Sequence, residues 1–149
     1  MRMGAWCMFS ALLAIAFLWP DPPPVDEELS GKAHTGVYIS LFETSLFEPC
    51  DSDERWWLDA REEVNQEFAD RYWALRAQFE KQSGVALDDG SPHFLLMGSG
   101  IVSETGEHGH MGQYNRQFAL TSFTEFRLAT PDEAERCLTS GFFDDLRYN

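Results

Sequence analysis

Apolar residues recur at Val64, Phe68, Tyr72, Leu75 and Phe79, in steps of four, four, three and four. Only an α-helix brings positions at that spacing onto one face, so the segment predicts an amphipathic helix packed against a sheet. Trp73 and Ala69 flank the stripe. Asp59, three residues ahead of Glu62, reads as an N-cap with its capping-box partner, and Gly84 as the stop.

On either side of the helix the period changes. Residues 36–42 (GVYISLF) and 55–58 (RWWL) are rich in β-branched and aromatic side chains and predict two strands. Between them, residues 48–53 (EPCDSD) are turn chemistry. Downstream, residues 93–102 are apolar but carry Gly98 and Gly100, and glycine inside a strand marks a bulge or bend of the kind a small closed barrel needs. Residues 118–128 predict the last long strand. The order strand, strand, helix, strand, strand predicts a mainly β domain with one long helix. Its form is a small barrel of the oligonucleotide/oligosaccharide-binding (OB) type, with the helix plugging one end. An open α+β sheet covered by the helix is the alternative.

The amino-terminal pattern is different again. Residues 4–19 carry no charge and follow a single Arg2, which is the layout of an export signal. As a helix the run reaches about 24 Å at roughly 1.5 Å per residue. That is short of the ~30 Å hydrocarbon core. Residues 1–16 therefore read as a signal peptide, with Ala14-Ile15-Ala16 as the small-x-small pattern, and an uncleaved anchor to about residue 19 as the alternative. The proline-rich stretch 20–24 and the acidic residues after it predict an extended polar linker over 17–34. One domain over 35–138 and a tail over 139–149 complete the chain.

Composition narrows the possible tasks. The 149 residues fit one domain, with 25 acidic residues against 11 basic and a net charge of -14. Such a surface lacks the Lys and Arg that neutralise nucleic-acid phosphates, and an anionic bilayer repels it. No nucleic-acid partner is expected, and membrane contact only through the N-terminal segment if it stays attached. The 44% hydrophobic and 14% aromatic content excludes a disordered acidic tether.

Two clusters carry candidate chemistry. In Glu107-His108-Gly109-His110-Met111, two imidazoles and a thioether suit copper better than zinc. In an extended segment His108 and His110 face the same way, and His93 and Met97 are the residues to look for beside them. The competing reading is a solvent-facing connection among Gly106, Gly109 and Gly112. Trp56 and Trp57 are strand neighbours, so their rings point to opposite faces. Either offers a stacking platform for a ligand, unless Trp73 or the long helix covers the outer one. Glu43 and Glu48 read as a solvated loop of an acidic chain rather than a glycosidase pair. There is no Gly-x-Ser-x-Gly elbow, no His-Glu-x-x-His helix and no phosphate-cradling glycine loop, so no enzymatic activity is expected.

Gly36-Val37-Tyr38, the run 43–47 (ETSLF), Cys50, the run 55–58, a helix, the run 94–98 (FLLMG) and Cys137 together resemble the C-terminal OB domain of the NlpE family. These are bacterial envelope lipoproteins linked to copper tolerance and envelope stress. Over residues 36–137 the resemblance implies an antiparallel OB barrel in the envelope and a disulfide joining Cys50 to Cys137. The chain lacks a lipobox cysteine and that family's N-terminal domain with its Cys-x-x-Cys motif, so neither lipidation nor metal relay is carried over. Cysteine parity agrees with the pairing: if Cys7 leaves with the export segment, the even pair that remains is usually bonded in an oxidising compartment. The expectation is a non-enzymatic periplasmic or envelope-associated protein. It acts through contact with an envelope protein or a small ligand, or alternatively binds copper or another small ligand at His108, His110 and Met111.

Overall fold

The computed structural model describes residues 22–41, 43–84 and 92–138. The segment expected to be a signal peptide over 1–16 and the expected tail over 139–149 lie outside these residues. The elements are β1 (Ala33–Leu41), β2 (Thr44–Pro49), β3 (Trp56–Ala60), α1 (Glu62–Ser83), β4 (Phe94–Val102), β5 (Arg116–Leu128) and α2 (Pro131–Cys137). The strands close into a barrel in the order β1-β2-β3-β5-β4, and β4 returns to β1. All neighbours are antiparallel except β3 and β5. The sheet is therefore closed and not open, and it has five strands where the sequence pattern predicts four.

The additional strand is β2. Residues 48–53 were expected to turn, yet Glu48 and Pro49 pair with Val37 and Gly36 inside the ladder. Glu48 is only 1% exposed and is no part of a solvated loop. Strand β4 bends where its glycines stand. The register against β5 shifts between Met97 and Gly98 and again between Ser99 and Gly100. A Cβ at Gly100 would run into the Ala119 backbone, so only glycine allows β5 to come this close.

Two layers of apolar packing follow from strand alternation. Tyr38, Phe47, Trp56, Phe94, Leu96, Phe118, Leu120 and Phe126 fill the interior. The helical stripe closes one end: Phe68 stacks on Phe126 with ring centroids 4.6 Å apart, and Tyr38 meets Phe68 edge-on at 5.4 Å. Val64, Tyr72 and Leu75 are buried with it. The opposite face of β1 and β2 is buried too. Val37, Ile39 and Leu46 form a second cluster with Tyr114 and Cys137, with Trp57, Cys50 and Leu138 packed against it. Burial on both faces explains why β1 is apolar at both parities. Cys50 and Cys137 form a disulfide that pins the end of α2 to the end of β2.

Local details depart from the expected ones. Asp59 lies in β3, and the residue before the helix is Arg61, with no side-chain cap. A capping box does exist, but on α2, where Thr130 and Glu133 exchange side chain-to-backbone bonds. Gly84 ends α1 as expected, at φ 66° with its N–H donating to the Glu80 carbonyl. The described part of the linker is bound to the barrel instead of running free. Asp26 and Gly31 donate backbone bonds to Val102 and Gly100, and His34 is buried with its Nε2 2.8 Å from the Leu29 carbonyl. Arg116 locks this segment through Asp26 (2.9 Å) and Glu54 (2.6 Å). Among the described residues no helix is long and apolar enough to cross a membrane.

Candidate functional site

Residues 103–115 connect β4 to β5 and fold back over the outer face of β3. His108 and Tyr114 exchange both backbone hydrogen bonds, closing a small hairpin whose tip is a 3-10 turn at His110–Gly112. Gly109 sits at φ 66° directly against Trp57: a Cβ there would stand 2.5 Å from the Trp57 ring and 2.6 Å from Tyr114. Both the left-handed conformation and the close approach demand glycine. The two rings it packs against meet edge-on, with Trp57 and Tyr114 centroids 5.1 Å apart at 71°.

The tip reaches the β1–β2 turn. His110 Nε2 lies 3.4 Å from Glu43 Oε2, and both side chains are exposed. Burial raises the Tyr114 hydroxyl above its ordinary pKa, and its contact with Thr44 at the start of β2 partly offsets this. Glu43 itself holds φ 59°, a left-handed conformation unusual for a residue with a side chain. Met111, at φ 56°, is 79% exposed at the edge of this junction.

The two histidines take separate partners. Residues 108–110 are not extended, because Gly109 turns the chain between them. His108 Nε2 lies 3.0 Å from Ser103 Oγ and 3.1 Å from the Glu104 carbonyl. Ser103 Oγ donates its own proton to Glu104 and accepts the Gln117 N–H, so the consistent assignment has His108 Nε2–H donating to both oxygens. In that state Nε2 has no lone pair for a metal. Ser103 is only 3% exposed and gives its proton to a carbonyl, which is not a nucleophile–base geometry. Among the described residues no three His, Cys, Asp or Glu side chains gather as a metal set. His93 lies just before β4, its pKa lowered by burial, and Met97 stands within β4 on the ladder to β1.

The tryptophan pair divides as strand geometry requires, but not as a double platform. Trp56 is 2% exposed inside the barrel, with its Nε1 donating to Glu54, so it cannot belong to a binding surface. Trp57 is half-buried, and Tyr114 and the Gly109 backbone cover it; Trp73 stands exposed on α1 instead. Comparison with family models, curated proteins and solved structures finds no match to this chain.

The site is thus an exposed apron at one end of the barrel, made of Glu43, His110 and Met111 over a Trp57–Tyr114 base. Sequence reasoning singled out His110, Met111 and Trp57. It missed Tyr114 and set Glu43 aside. A Gly109–Tyr114 spacing that returns an aromatic over Trp57 was the signal available for the first; Glu43 had none.

Proposed function

We propose that this chain is an exported, non-enzymatic envelope module. Its barrel is of the OB type, related to the C-terminal domain of NlpE-like proteins, and it binds an envelope protein through the apron of Glu43, His110 and Met111. The observation that carries this reading is the meeting of the β1–β2 turn and the β4–β5 connection at Glu43 and His110. In OB barrels these are the two loops that border the ligand-binding face. The strand order, with a helix between the third and fourth strands closing one end, supports the same assignment. The bonded Cys50–Cys137 pair supports an oxidising compartment. A net charge of -14 speaks against the single-stranded nucleic acids that many such barrels bind. An exposed thioether beside an imidazole–carboxylate contact suits an adaptable protein contact.

A photo-crosslinking amino acid placed at Met111 of the full chain tests this in intact cells. The expected result is a discrete adduct with another envelope protein, absent when the same group replaces Lys32 on the linker. Equal labelling at both positions, or adducts only with cytoplasmic proteins, contradicts the reading.

A further inference from the structure

Strand β1 does not serve the whole of β4. Their ladder ends at Ala33 opposite Ser99, while β4 runs on to Val102 against β5. Residues 24–31 take the edge that is left. Asp26 N–H donates to the Val102 carbonyl at 2.8 Å, Gly31 N–H to the Gly100 carbonyl at 2.9 Å, and Glu104 N–H to the Pro24 carbonyl at 2.8 Å. Leu29 packs onto the inner core, and its carbonyl receives His34 Nε2–H at 2.8 Å. The His34 ring meets Trp56 and Phe118 edge-on, with centroids 4.9 and 5.7 Å away.

This strap is lightly covered. None of residues 24–31 is fully buried, and Val25 is 44% exposed. A segment with so little buried apolar surface opens at lower free energy than the core it lies on. One carboxylate organises it. Asp26 Oδ1 accepts the N–H groups of Glu28 at 3.0 Å and Leu29 at 3.1 Å, which folds the strap into a turn, and Oδ2 accepts Arg116 Nη1–H at 2.9 Å. Arg116 also donates to the Ser103 carbonyl and, through Nε, to Glu54 at 2.6 Å. Its charge therefore stays neutralised on the barrel side when Asp26 is protonated, so no unpaired cation is left behind.

The other titratable groups around the strap do not hold it in this way. Glu27 and Glu28 on the strap and Glu104 on the facing connection are exposed, and Glu54 bonds Arg116 from the barrel side. His34 and His108 each give an Nε2–H to a carbonyl, a bond that protonation of the other ring nitrogen leaves in place. The Leu29 N–H, and after it Arg116, keep the Asp26 carboxyl below its ordinary value of 3.8. The stabilisation it gives is complete above that value and is lost as pH falls below it.

We infer that residues 24–31 are an acid-released strap, which protonation of Asp26 opens from a barrel that stays folded. Opening uncovers the β4 edge from Gly100 to Val102 and the rings of His34, Trp56 and Phe118. An unpaired strand edge is a template for added strands, so the closed strap also keeps that edge from other chains at neutral pH. The strap is separate from the apron, and either can fail without the other.

Amide hydrogen exchange read by NMR on the full chain in non-ionic detergent tests this, with protection at Asp26, Gly31 and Glu104 reporting the strap and protection along α1 reporting the barrel. Asp26→Asn keeps the Oδ1 acceptor of the turn but removes the charge facing Arg116. At pH 6 it should lower strap protection by about tenfold or more and leave α1 within about threefold of the parent. Glu28→Gln should change neither. As pH is lowered from 6 to 3 the parent's strap protection should fall toward that of Asp26→Asn, whose own strap protection stays level. Strap and α1 amides exchanging together at every pH, an Asp26→Asn strap as protected as the parent's, or a pH dependence that survives in Asp26→Asn overturns the inference.

Discussion

His110 Nε2 stands 3.4 Å from Glu43 Oε2, and this contact joins the β4–β5 connection to the β1–β2 turn across one end of the barrel. Neither residue lies in a strand. Their meeting is set by the tight β1–β2 turn on one side and by the Gly109 bend on the other. The proposed partner surface therefore depends on two backbone positions that glycine chemistry controls.

Glu43 holds φ 59° at that turn. Glycine adopts this conformation freely, and release of a non-glycine residue from the left-handed region is worth on the order of 1 kcal/mol. Glu43→Gly should therefore unfold at an equal or higher urea concentration, while the crosslink from position 111 weakens. A variant that loses stability and contact together would show that Glu43 holds the fold rather than the surface.

Gly109→Ala acts in the opposite sense. The new Cβ would sit 2.5 Å from the Trp57 ring in a left-handed conformation. A cost of about 1 to 3 kcal/mol is expected from urea unfolding. NMR should show loss of the ring contacts between Trp57 and Tyr114, with the Phe68–Phe126 contacts of the inner core kept.

Acid stability should depend on Glu133. Arg127 grips its carboxylate through two bonds of 2.8 and 2.7 Å, and the Thr130 N–H adds a third, which together hold its pKa down to about 2. A folded-state pKa below the unfolded one means that unfolding takes up a proton, so stability rises with pH across that interval. The contribution is present above the ordinary value of 4.5 and is lost as pH falls toward 2. Urea midpoints measured from pH 6 to pH 2 should fall more steeply for the parent than for Glu133→Gln. Parallel curves would show that the pair contributes nothing.

The His-x-His motif should not behave as a copper site. Titration with Cu(II) or Zn(II), followed through the imidazole NMR signals of His108 and His110, should show no affinity tighter than millimolar. Stoichiometric micromolar binding that is lost in both His108→Ala and His110→Ala would reinstate a shared site.

The parts of the fold that were legible are those where one period dominates. The stripe from Val64 to Leu75 is buried as its spacing requires, and the glycines of β4 stand where its register slips. Strand β2 escaped notice because Thr44 and Ser45 open it, Pro49 ends it, and Glu48 is buried in tertiary contact on its outer face. No local propensity encodes that burial. The linker read as free for a similar reason. Its acidic residues suggest solvent, but Asp26 is partnered by Arg116, ninety residues away. At the site, Trp57 was visible and its cover was not, because Tyr114 reaches it only through a bend at Gly109.

The proposed export, the pairing of cysteines and the folded state of the barrel meet in one bond, Cys50–Cys137. It closes a separation of 87 residues, worth roughly 4 to 5 kcal/mol in the chain-entropy picture. The most direct measurement is acid quenching of intact cells, alkylation under non-reducing conditions and mass mapping of the full chain's cysteine peptides. The account predicts a linked Cys50–Cys137 peptide and no alkylation at either position. Both thiols alkylated in the folded protein would contradict it, removing the oxidising compartment and with it the exported module.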